Sequence, residues 1–169
     1  FAHILYKGLL FMGMGAVLYR VGTCKASELG GLFKFMPFTA ICTIIGAISI
    51  SAFPLFSGFV AKSLIMSALG KEGLVFVYFM LLFASAGVLH HSGIKIPFFA
   101  FFAHESGIKT KEAPLNMIIA MITASTLCIL IGVFPSYFYE ILPYQIQYQP
   151  YDFSHVVGQL QLLTFAAFA

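Results

Sequence analysis

Residues 38–69 read FTAICTIIGAISISAFPLFSGFVAKSLIMSAL, from Phe38 to Leu69, and Lys62 is the one charge in the run. As ideal helix these residues would extend roughly 48 Å, whereas the hydrocarbon core of a bilayer is about 30 Å thick. The run is too long for one straight crossing and too apolar for water. Pro54, followed closely by Ser57 and Gly58, resolves the mismatch, because proline removes a helix hydrogen bond and frees carbonyls partway along the span. The spacing predicts a half-helix from Phe38 to Phe53, an unwound link over Pro54 to Gly58, and a second half-helix from Phe59. Lys62 then lies about one turn into that second half.

The rest of the chain agrees with a lipid solvent. Of its 169 residues 60% are apolar and 9% charged, with 20 Phe and no Trp. A soluble domain carries about 25% charged residues, so this chain lacks the polar material to coat a globule. That excludes a disordered chain, a nucleic-acid binder and a conventional soluble enzyme, and makes the bilayer the first partner. Three more spans are predicted, over 1–19, 74–96 and 114–134. Arg20 and Gly22 close the first, Pro97 ends the second, and Pro114 and Pro135 bracket the third. Residues 136–154, rich in tyrosine, read as an interfacial loop, and 155–169 as the start of a further helix. The chain opens inside one apolar run and stops inside another, so a piece of a longer protein is expected. The fold class is all-α, a polytopic transmembrane helix bundle with one Pro/Gly-interrupted helix. Cys24, Cys42 and Cys128 do not form a disulfide framework in this setting.

Alternate connections differ in charge. Those after spans 1–19 and 74–96 hold Arg20, Lys25, Lys34, Lys109 and Lys111, while those after 38–69 and 114–134 hold only Lys71. The positive-inside rule places the first set in the cytoplasm or its organellar equivalent. The expected location is a bacterial-type inner membrane, with an organellar inner membrane as the alternative.

Lys7 and Lys62 lie far from an obvious interface. A charge at mid-bilayer costs about 3 kcal/mol on insertion scales and persists where it faces a bundle interior, a partner or water. Burial favours the neutral amine, so a lysine placed there can take up and release a proton; the plainer reading is pairing with a carboxylate on a neighbouring helix. His3 and Lys7 are four residues apart and share a helix face, which suits either a proton relay or a polar stripe. His90 and His91 point about 100° apart on a helix and do not chelate one metal well; they are candidate proton-entry groups or ordinary interfacial histidines. No metal-ligand spacing, phosphate loop or nucleophile motif is present, and no cofactor is expected.

The order His3-Ala-Ile-Leu-Tyr-Lys7-Gly, then Glu28-Leu-Gly-Gly-Leu32, Met36-Pro37 and Pro54-Leu-Phe-Ser-Gly58-Phe-Val-Ala-Lys62 resembles the antiporter-like subunits shared by respiratory complex I (NADH:quinone oxidoreductase) and the multisubunit, Mrp-type cation/proton antiporters. The likeness is strongest over Phe1 to about Leu69, with a weaker echo in Gly132-Val-Phe-Pro135. It implies a many-helix protein built of two inverted repeats, each with a helix broken in mid-membrane. Residues 1–135 would then be the C-terminal part of that core. It further implies that His3 and Lys7 match the histidine and lysine of the helix before the broken one. Lys62 would match the broken helix's ionisable residue, which is lysine in some members and glutamate in others. The first-repeat glutamate and lysine of the family have no counterpart here. The implied function is proton translocation, or cation/proton exchange with H+ and Na+, beside other membrane subunits, with Lys62 as carrier fed by Lys7 and His3. The competing reading is a structural anchor or quinone-site wall of a redox complex; no residue here carries electrons, so any oxidoreductase activity would belong to the assembly.

Overall fold

The computed structural model describes residues 1–144, 146 and 148–168; Gln145 and Gln147 of the expected interfacial loop 136–154 and Ala169 of the expected helix 155–169 lie outside the described residues. Among the described residues seven α-helices follow one another: α1 Ala2–Val21, α2 Pro37–Ile50, α3 Ser57–Lys71, α4 Val75–Val88, α5 Leu115–Val133, α6 Pro135–Tyr139 and α7 Phe153–Phe168. Among the described residues there is no strand. Ala2–Val21, Val75–Phe102 and Leu115–Val133 are long and apolar enough to cross a membrane.

Local chemistry sets the ends. Gly22, at φ 84°, caps α1 and returns its N–H to the Leu18 carbonyl, with Arg20 in the last turn against the helix dipole. Pro37 takes the first position of α2, where a missing N–H is harmless. The exposed donors of that helix start are met from a distance. The Glu112 carboxylate accepts from the Phe38 N–H at 2.8 Å and from the Thr39 hydroxyl, while also receiving the Ala113 N–H at 2.9 Å. Ser106 donates to the Gly30 carbonyl and Thr110 to the Arg20 carbonyl. The two Lys/Arg-rich connections therefore lie against each other at one end of the bundle.

The helix over 38–71 is broken, in a link that overlaps the expected one at Pro54–Phe56 and starts three residues earlier. The unwound residues are 51–56, and Ser57 and Gly58 already belong to α3. Proline acts upstream: it disfavours helical geometry in the preceding residue and its ring meets the carbonyl four residues back. The chain thus leaves α2 before Pro54 and resumes helix soon after it. Ala52 and Leu55 take left-handed conformations, at φ 58° and 72°, each costing about 1–2 kcal/mol for a non-glycine residue. Contacts hold the link. Ser51 bonds back to the Ala47 carbonyl at 2.7 Å, and the Ser49 and Ser57 hydroxyls meet at 3.0 Å across the break. Gly58 and Gly132 bring α3 and α5 against it, since a Cβ would collide with the Ser49 carbonyl at the first and with Leu55 and Phe56 backbone at the second.

The third span also differs from its expected bounds of 74–96. Helix continues through Pro97 to Phe102, with π-helical segments over Leu89–Lys95 and Phe98–Phe102. A wider π-turn, bonding five residues apart as in Ala103 N–H to Phe98 O, loosens the ladder where proline would otherwise break it.

The packed core joins α1, α2 and α5 through Leu9, Val17, Met36, Ala40 and Met121, with Phe101 closing it beside the basic connections. Outward faces carry Phe11, Phe76, Phe83 and Ile119, and no residue of α4 over Val75–Val88 is buried. Large exposed apolar surfaces are what a lipid-facing bundle requires. α7 lies against α4 and its π-helical continuation.

Candidate functional site

Because α3 begins just after the link, Lys62 falls in its second turn, close to the break and facing α4 and α7. It is half-buried. Its Nζ donates to the Ser85 hydroxyl of α4 and, at 2.7 Å, to Gln159 Oε1 of α7. Gln159, itself buried, donates from Nε2 to the Ser51 carbonyl in the unwound link at 3.3 Å. An ammonium has three donors and no acceptor, and neutral oxygens meet two of them here. The ion pairs among the described residues are Lys25–Glu28 and Lys34–Glu105, both exposed and both away from this site. No carboxylate neutralises Lys62, so the plain pairing alternative has no partner among the described residues.

Lys62 stands between two partly open clefts. One, of about 270 Å³, is lined by Tyr6 of α1, Ala52 of the link and Ser85 of α4 as well as Lys62. The other, of about 410 Å³, runs between α3, α4 and α7 past Tyr78, His155 and Gln159. Each exceeds by several-fold the ~30 Å³ that a water occupies in the liquid.

The remaining predicted residues are distributed as follows. Pro54 lies in the link, with Ser57 and Gly58 in the first turn of α3. His3 and Lys7 are exposed on α1, a correction to the expectation of two buried lysines; the face of α1 that carries them points away from the α2 and α5 contacts. His3 Nδ1 lies 3.3 Å from the Tyr6 hydroxyl, with the rings edge to face. Tyr6, not Lys7, turns toward Lys62. His90 and His91 are exposed in the π-helical continuation of α4 and line neither cavity at Lys62. Among the described residues no three metal-ligating side chains come together.

Sequence reading missed Tyr6, Ser85 and Gln159. Gln159 had a legible signal, an amide inside an apolar helix, yet its partners are far away along the chain. The tyrosine-rich segment also reaches the break: Tyr151 stacks on Phe59 at 5.3 Å between ring centroids and donates to the Gly132 carbonyl.

A family model described as NADH:quinone oxidoreductase/Mrp antiporter, TM matches residues 1–89, more than half of the chain. The chain belongs to this family. The match takes in α1, the broken helix and all of α4, and so includes Lys62. Hydrogenase-4 component B of Escherichia coli is 31% identical over 80% of this chain. An Na(+)/H(+) antiporter subunit of Alkalihalophilus pseudofirmus is 31% identical over 85%, and NADH-ubiquinone oxidoreductase chain 5 of Acanthamoeba castellanii 32% identical over 61%. The chain spans about a fifth of the length of these curated relatives, 22%, 19% and 16% respectively. This NADH:quinone oxidoreductase/Mrp antiporter family member is an integral inner-membrane protein, and its relatives bear the names of components, subunits and chains of larger assemblies.

Proposed function

We propose that the chain forms part of a proton-translocating or cation/proton-exchanging membrane subunit in which Lys62 carries the proton. The observation that supports this reading is the placement beside a broken helix of an amine with no carboxylate partner among the described residues, between two partly open clefts, one bounded by α1 and the link and the other by α7. A carrier needs access from two directions and a charge that no fixed anion traps. A carboxylate partner would hold the ammonium charged to higher pH and narrow the range over which it releases its proton. The half-helix ends supply backbone dipoles and free carbonyls that stabilise water or a cation beside the amine, as in other broken transmembrane helices.

On the α1 side the feed runs from His3 through the Tyr6 hydroxyl and into the smaller cavity, with Lys7 one residue beyond. His3 and Lys7 share their exposed face of α1 with Phe11. H+ is the expected cargo, with Na+ as counter-ion in an exchanger, and other membrane subunits are the expected partners. His90 and His91 lie within the Val75–Phe102 helix, near the level of the unwound link that Gly93 packs against, and are assigned to proton entry.

Lys62→Ala in the full-length protein, reconstituted in vesicles with a pH-gradient dye, tests the carrier. Proton flux is expected to fall about a hundredfold or more, as for a group that handles the proton directly. Unchanged flux with normal assembly would remove the mechanism. Lys62→Met that keeps flux while weakening assembly would favour the anchor reading instead.

A further inference from the structure

We infer that Gln159 is a positioning residue that sets how firmly Lys62 holds its proton and passes the charge state of that lysine to the unwound link. The inference rests on the carrier role proposed above for Lys62. Gln159 is buried on α7, beyond the residues 1–89 that the family model matches. Its two ends have different partners: Oε1 accepts from Lys62 at 2.7 Å, and Nε2 donates to the Ser51 carbonyl at 3.3 Å.

The polarity of the amide fixes the direction of the coupling. A carbonyl only accepts, so Nε2 must face Ser51, and Oε1 is left to the lysine, where only a donor can answer it. When Lys62 is charged, Ser85 and Gln159 both accept from it. When Lys62 is neutral, the Ser85 hydroxyl can turn and donate to the amine lone pair, while the bond to Gln159 loses its charge assistance. Charge-assisted bonds are roughly twice as strong as neutral ones. The grip on Gln159, and through it on the Ser51 carbonyl, therefore rises and falls with the proton. Ser51 precedes Ala52, which is held in the left-handed region, so the amide grips a strained segment.

The titratable groups facing Lys62 are few. Tyr6 of α1 shares the smaller cavity, and Tyr78 of α4 and His155 of α7 the larger. α2 and the link present Ile50 and Ala52, and no carboxylate or second lysine lines either cavity among the described residues. A charge placed at position 159 would thus act on Lys62 without a competing anion.

The test uses the full-length protein in vesicles, with proton flux measured across the alkaline range for Gln159→Glu, Gln159→Leu and Lys62→Ala. An anion at 159 holds the charged amine to higher pH, and the alkaline limb of the profile moves up by about one pH unit or more. Leucine removes an acceptor, and the limb moves down. A role confined to packing would not move the limb in opposite directions. A profile unchanged in both variants, with flux lost in Lys62→Ala, overturns the inference and leaves the carrier intact. Flux that survives Lys62→Ala overturns the carrier itself. Where Gln159→Leu fails to assemble, the nearly isosteric Gln159→Glu decides.

Discussion

Gly132→Ala is the sharpest structural perturbation of the break. Gly132 lies near the end of α5, and a Cβ there would overlap the Leu55 carbonyl group and the Phe56 Cα. These are backbone atoms in a link pinned by the Ser49–Ser57 contact and by Gln159, so they cannot rotate aside. Overpacking a tight site costs about 1–3 kcal/mol, and backbone collision belongs in the upper half, about 2–3 kcal/mol. Alanine returns about 1 kcal/mol through its helix preference over glycine. The net loss is about 1–2 kcal/mol, roughly tenfold in the folding equilibrium. Cys42 and Cys128 are buried free thiols, so thermal unfolding of the full-length protein can be followed with a thiol-reactive fluorophore. Gly87→Ala, on an exposed position of α4 with nothing within 4 Å of its Cβ, serves as the control and should melt with the parent or slightly above it. If Gly132→Ala also melts with the parent, the close approach of α5 does not hold the link.

Three further outcomes follow from single contacts. Glu112→Ala strips the start of α2 of its long-range cap and should destabilise the protein by about 1–2 kcal/mol, read as faster amide exchange at the first turn of α2; exchange unchanged from the parent would refute the capping role. Leu55→Gly relieves a left-handed residue whose side chain is exposed and should gain about 1 kcal/mol, whereas Leu55→Val should lose stability; equal losses in both would count against the strain. The Lys34 ammonium bonded to Glu105 holds that carboxyl below its ordinary 4.5. The pair's contribution is therefore whole above the ordinary carboxylate range and fades as pH falls through the lowered value. A carboxyl NMR titration should show Glu105 returning to the ordinary range in Lys34→Ala.

Much of the architecture was legible because membrane constraints are local. An apolar run must become helix when no water is present to satisfy its backbone, and a run too long for the core must tilt, bend or break. Pro54 marked the break, but the unwinding begins three residues before it, at Ser51, where proline's steric demand acts. Pro97 misled in the opposite sense. The same ring that ended one helix was absorbed in another by π-turns, and the difference depends on whether neighbouring elements hold a loosened ladder in register.

The site divides in the same way. Lys62 announced itself as a charge inside an apolar run, and that much needed only the order of residues. Its surroundings did not, because Ser85 and Gln159 lie 23 and 97 positions further along and no local pattern links them to it. His3 and Lys7 share a helix face, as their spacing requires, but which polar residue of α1 lines the cleft beside Lys62 was settled by how α1 packs on α2 and α5, and that residue is Tyr6. Composition and prolines fixed an all-helical membrane bundle with one broken element, since hydration and backbone sterics act over a few residues. Tertiary packing alone decided which neutral oxygens hold the amine and which cavities reach it, because those depend on helices meeting across the fold.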